Sequence, residues 1–87
     1  MKNDNVNEIP TEQFYKTSDL ALATTLSLYS PVETTEFVGG KKVLFVFLKS
    51  QELDKLINLY WSGELRVDPQ QYFAQLKVIK TRIYSQI

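Results

Sequence analysis

The amino-acid sequence predicts an α+β fold, with a short β-strand and helix, a glycine-turned β-hairpin, then two amphipathic helices packed on a small antiparallel sheet. Two observations carry this. Apolar residues recur at helical spacing before Pro31, at a period of 2 across 32–48, and at helical spacing again after Ser50. Gly39-Gly40 stands inside the period-2 region, where a primed turn joins two strands.

Residues 1–13 are polar, contain three Asn and show no periodicity, so they read as a flexible lead-in to a single domain over 14–87. Phe14-Tyr15-Lys16 suits a brief strand. Ser18 or Thr17 caps the helix that follows, with Asp19 favouring its positive end; Leu22, Leu26 and Tyr29 form its apolar face, and Ser30-Pro31 ends it.

A two-residue turn at Gly39-Gly40 pairs Val38 with Lys41 and Glu36 with Val43. Val32, Thr34 and Val38 then share a face with Val43, Phe45 and Phe47, while Thr35 and Phe37 share the other with Leu44, Val46 and Leu48. The 43–48 strand is apolar on both faces, as a central strand is, and the 33–38 strand has the mixed character of an edge. The third strand comes either from Phe14-Lys16 or from a second copy of the chain.

Ser50 caps a helix whose stripe is Leu53, Leu56, Ile57, Tyr60 and Trp61, and Gly63 closes it in the left-handed conformation. Trp61, at helical spacing with core residues, is expected in the core, and Tyr60 at its edge with a wet hydroxyl. Asp68-Pro69-Gln70-Gln71 opens a last helix with a cap, a proline at its first position and a capping box. Its core stripe is Tyr72, Leu76, Ile79 and Ile83, widened by Phe73 and Ile87.

The chain has no Cys and no His, which removes disulfides, a thiolate nucleophile, the commonest general base and the commonest zinc ligand. An enzyme is therefore not expected, nor is a cofactor or a small-molecule substrate. Glu52, Asp54, Glu64 and Asp68 suggest a metal only superficially, because capping electrostatics already account for Glu52 and Asp68. Ser18 with Lys16 as nucleophile and base lacks an orienting partner. No signal core is present and the longest apolar run, Val43–Leu48, is too short to span a bilayer, so a cytoplasmic address without membrane contact is expected.

Ten basic residues balance ten acidic ones, yet from Arg66 onward Arg66, Lys77, Lys80 and Arg82 face Asp68 alone. At 100° per residue, Phe73, Lys77, Lys80 and Tyr84 fall within about 60° of one another, forming a basic strip with aromatic edges. Lys41 and Lys42 at the hairpin tip extend it toward a single-stranded nucleic acid. With so few cations, the favoured reading makes Phe73 and Tyr84 core-edge residues beside solvated lysines.

The order Phe14-Tyr15-Lys16-Thr17-Ser18-Asp19-Leu20, Val43-Leu44-Phe45-Val46-Phe47, Tyr60-Trp61-Ser62-Gly63-Glu64, Arg66-Val67-Asp68-Pro69 and Leu76-Lys77 through Thr81-Arg82-Ile83-Tyr84 resembles a small uncharacterised domain family. Its members are short bacterial, environmental-lineage and phage-type proteins described only as a domain of unknown function. The resemblance covers roughly residues 14–85 and implies no activity, catalytic residue or cofactor. The residues therefore point to a non-enzymatic binding module acting through protein contacts, as a homodimer or an accessory subunit. The alternative is a single-stranded nucleic-acid binder using Lys41, Lys42, Phe73, Lys77, Lys80 and Tyr84.

Overall fold

In the computed structural model, which describes residues 13–40 and 42–85, the elements run β1 (Phe14–Thr17), α1 (Leu20–Ser27), β2 (Thr34–Phe37), β3 (Val43–Leu48), α2 (Gln51–Trp61) and α3 (Pro69–Tyr84). Apart from Gln13, the expected lead-in lies outside the described residues, as do Lys41 and Ile87. The three strands form one antiparallel sheet in the order β1-β3-β2, so the doubly apolar β3 is central and Phe14–Thr17 supplies the third strand from within the chain.

The hairpin differs from expectation by one residue. Phe37 pairs with Val43 and Glu36 with Leu44, and Val38 and Lys42 flank the loop. It closes with Val38 N–H donating to the Lys42 carbonyl and Lys42 N–H to that of Gly39, each at 3.1 Å. Gly39, at φ 106°, lies well outside the left-handed helical well near about +57°. Gly40 is positive too, at φ 57°, so the difference is one of length: the register leaves one residue more than a two-residue primed turn between the strands. A one-residue slip exchanges faces. Thr35 and Phe37 thus join Val43, Phe45 and Phe47, whereas Thr34 and Glu36 join Leu44, Val46 and Leu48.

The core lies on the Phe45–Phe47 face, where Leu22, Ala23 and Leu26 of α1, Leu53 of α2 and Ile79 of α3 pack with Val43, Phe45 and Phe47. On the other face Val46 is buried outside this cluster. Lys16 and Glu36, reaching from the two edge strands, meet at 3.2 Å on that face.

Five consecutive residues of α1, Leu22 to Leu26, are buried, so this helix has no solvent side over that stretch. Its polar members bond within the helix: Thr24 Oγ1 donates to the Leu20 carbonyl and Thr25 Oγ1 to that of Ala21, each at 2.8 Å. The N-cap is Asp19, not Ser18 or Thr17. Its carboxylate accepts Leu22 N–H at 3.1 Å, while Thr17 Oγ1 accepts Asp19 N–H at 3.0 Å and turns the chain out of β1. With β1 running through Thr17, the helix starts one residue later than a Ser18 cap allows. The helix ends at Ser27, before Ser30-Pro31, which leaves Tyr29 exposed with its hydroxyl donating to the Arg66 carbonyl at 3.3 Å.

Among the described residues, Thr35 Oγ1 is the buried side-chain oxygen without a partner. The observed register aims it at the core face opposite Phe45. An unsatisfied buried hydroxyl costs about 1–3 kcal/mol, so Thr35→Val should raise stability by about 1 kcal/mol in urea unfolding. Destabilisation on that substitution would favour the shifted register, in which Thr35 points away from Phe45.

Candidate functional site

α3 begins where Asp68 accepts Gln71 N–H at 2.9 Å and Pro69 presets the first helical turn. No reciprocal bond from the Gln71 side chain is present among the described residues, so the cap is single. Ile79 is fully buried with Ile83 packed beside it, and Gln75 Nε2 donates to Ser27 Oγ of α1 at 3.0 Å. These contacts fix which side of α3 faces inward.

The opposite side carries Phe73, Lys77, Lys80 and Tyr84. Phe73 is 57% exposed and Tyr84 67%, so neither is a core-edge residue and Phe73 does not widen the core stripe. The reason is angular: Phe73 lies about 120° round the helix from Ile79, beyond what the packed neighbours cover. The Lys77 ammonium sits 4.8 Å above the Phe73 ring centroid, a cation–π contact that orders both side chains at the surface. Val78 is also more than half exposed, but it stands on the other flank of Ile79, about 100° from Lys77 and about 160° from Lys80, outside the strip. Its angular distance from Ile79, about 100°, was the available signal of that exposure. Lys42 is exposed at the hairpin tip, and Lys41 falls outside the described residues.

Trp61 corrects the reading of α2. The indole is 63% exposed, standing edge-on to Tyr60 at 5.0 Å with an interplanar angle of 87°. Leu53, Leu56, Ile57 and Tyr60 centre the buried stripe, and Trp61 lies about 80° from Leu53 on the last helical residue. Gly63, at φ 78°, then reverses the chain. Gly63 N–H donates to the Tyr60 carbonyl at 3.1 Å and Glu64 N–H to that of Leu59 at 3.0 Å, the double bond of a Schellman cap.

Tyr15 and Tyr60 both titrate above the ordinary tyrosine value of 10.0, through burial first and the negative charge of Asp19 second. Tyr72 adds to the shift at Tyr60. The α1 N-cap therefore lies near the end of α2 and the start of α3.

Lys16 is engaged with Glu36, so it is not poised as a base for Ser18. Among the described residues no three His, Cys, Asp or Glu side chains gather as a metal site, and no helix is long and apolar enough to cross a membrane. Between the end of α1 and α2 runs an open groove of about 530 Å3, with Tyr29, Leu56 and Leu59 among its apolar walls and Glu52 and Lys55 beside them. Sequence periodicity does not reveal it, because it depends on how α1 ends against α2. Chemically, the α3 strip offers two ammonium groups and two aromatic rings on one face of a rigid helix.

The chain matches a family described as Domain of unknown function (DUF5659) over residues 12–85. No curated protein and no solved structure matches.

Two measurements check this surface. The single Trp should emit at long wavelength and be readily quenched by acrylamide in the folded chain; a blue-shifted, protected emission would return Trp61 to the core. Because folding holds Tyr15 and Tyr60 neutral to higher pH than the unfolded chain does, stability should be intact below pH 10.0 and fall as pH rises through it. The alkaline transition seen by circular dichroism should move upward in a Tyr15→Phe/Tyr60→Phe chain, and an unchanged transition would contradict the assignment.

Proposed function

As the chain belongs to the DUF5659 family, a domain of unknown function, we propose that it is a small non-enzymatic, cytoplasmic binding module that acts through protein contacts, as an accessory subunit or a homodimer. One observation carries the reading. Phe73 and Tyr84, each more than half exposed, frame Lys77 and Lys80 on a helix whose other side is anchored in the core. Exposed aromatic residues on a rigid element are typical anchors of protein interfaces, and Trp61 adds a second anchor on α2. The absence of Cys and His from the composition supports binding over catalysis.

A second reading, single-stranded nucleic-acid binding, is favoured by the Lys77–Phe73 pair, since cations beside stacking rings suit a phosphate-linked strand. It ranks lower because α3 has only Lys77, Lys80 and Arg82 to set against phosphates, and useful affinity at physiological salt takes more contacts, about 6–10 in strongly salt-dependent binders.

The test is capture from the native host with the tagged chain, with and without nuclease. Protein that stays bound after nuclease and is lost with Phe73→Ala/Tyr84→Ala supports the reading. Captured material that vanishes with nuclease, or survives the double substitution, counts against it.

A further inference from the structure

The spacing of the α3 strip carries information about its partner. Phe73, Lys77, Lys80 and Tyr84 follow one another at steps of four, three and four residues. That is the 3.5-residue repeat by which one helix faces another along a seam. From Phe73 to Tyr84 the helix advances about 16 Å, three turns.

The seam is charged in one sign. Residues 69–84 contain Lys77, Lys80 and Arg82 and neither Asp nor Glu. Among the described residues the ion pair is Lys16 with Glu36 on the sheet, so Lys77 and Lys80 have no carboxylate partner among them. Lys77 rests on the Phe73 ring instead. Phe73 and Tyr84 close the two ends with exposed rings.

We infer that this face receives an acidic amphipathic helix from a different protein, its carboxylates opposite Lys77 and Lys80 and its apolar side chains on Phe73 and Tyr84. The inference rests on the protein-contact reading above and specifies the chemistry of the partner. Charge complementarity selects it over a second copy of the chain. A two-fold interface presents the same patch on both sides, which sets Lys77 and Lys80 against their own copies, and like charges in register oppose pairing. The seam also selects a helix over a nucleic acid. Seam spacing has no counterpart in a flexible strand, and the two rings, Phe73 and Tyr84, stand about 16 Å apart along the helix, too far for successive bases to stack on.

The test uses three probes on the full chain. One is a synthetic helical peptide of about four turns with Leu on its seam ends and Glu at the two central seam positions. The second carries Gln at those positions, and the third is an oligo(dT). The Glu peptide should bind, and the Gln peptide should bind about tenfold more weakly or worse. A Lys77→Glu/Lys80→Glu chain, with its helicity checked by circular dichroism, should lose the Glu peptide and accept a matched peptide bearing Lys. Rescue by that charge swap separates recognition from a mere loss of fold.

Equal binding of the Glu and Gln peptides overturns the inference, as does a dimer in solution that dissociates on Phe73→Ala. Failure of every peptide, together with nuclease-resistant protein capture that persists in the Lys77→Glu/Lys80→Glu chain, overturns the acidic helix but leaves the protein-contact reading standing. Oligo(dT) binding that weakens steeply with salt, with no peptide binding, overturns both.

Discussion

The fold depends on burying the middle of α1, Leu22 to Leu26, on every side. Five consecutive residues with no solvent side would be ruinous if their hydroxyls lacked partners. Two unpaired hydroxyls at about 1–3 kcal/mol each would remove a large share of the roughly 5–15 kcal/mol that stabilises a domain. Thr24 and Thr25 avoid this by donating to carbonyls one turn back in the same helix. The buried stretch of α1 thereby holds two polar side chains among three apolar ones, with both hydroxyls satisfied in bonding. The sheet, α2 and α3 can all pack around it without any of them supplying a polar partner there.

Because α1 occupies the centre, α2 and α3 each need only one apolar stripe. Leu53 and Ile79 face inward, and whatever lies more than about 80–120° from them faces water. Trp61 and Phe73 are therefore surface residues through the arrangement of the core, not through any weakness in their hydrophobicity. At the sheet, one face is covered by helices, while on the other Lys16 and Glu36 meet over the buried Val46 and leave Leu48 of β3 exposed. Both ionic side chains remain partly exposed, so the pair contributes at most about 1 kcal/mol to stability. Its structural effect is to occupy that face.

The element order, the Ser50 and Asp68 caps, the Gly63 closure and the central position of β3 were legible because each depends on local chemistry. The hairpin register was not. It turns on loop length, and positive φ at both Gly39 and Gly40 fits a loop of two residues or of three. Sequence places the cap at Ser18 or Thr17 and not at Asp19 because all three neighbouring residues have capping side chains; only the length of β1 decides among them. The α3 strip was visible as a cluster on one face, but not whether its aromatics were covered, since helical spacing gives an angle and not the width of the neighbouring element. Trp61 failed for the same reason.

Native-state hydrogen exchange tests the central position of α1 most directly. The Leu22–Leu26 amides should exchange only through global unfolding, at least as slowly as those of β3, while amides in the first turns of α2 and α3 exchange through smaller openings. If the α1 amides exchange faster than those of β3, the helix is not what the remaining elements are built around, and the outward placement of Trp61 and the α3 strip loses its physical basis.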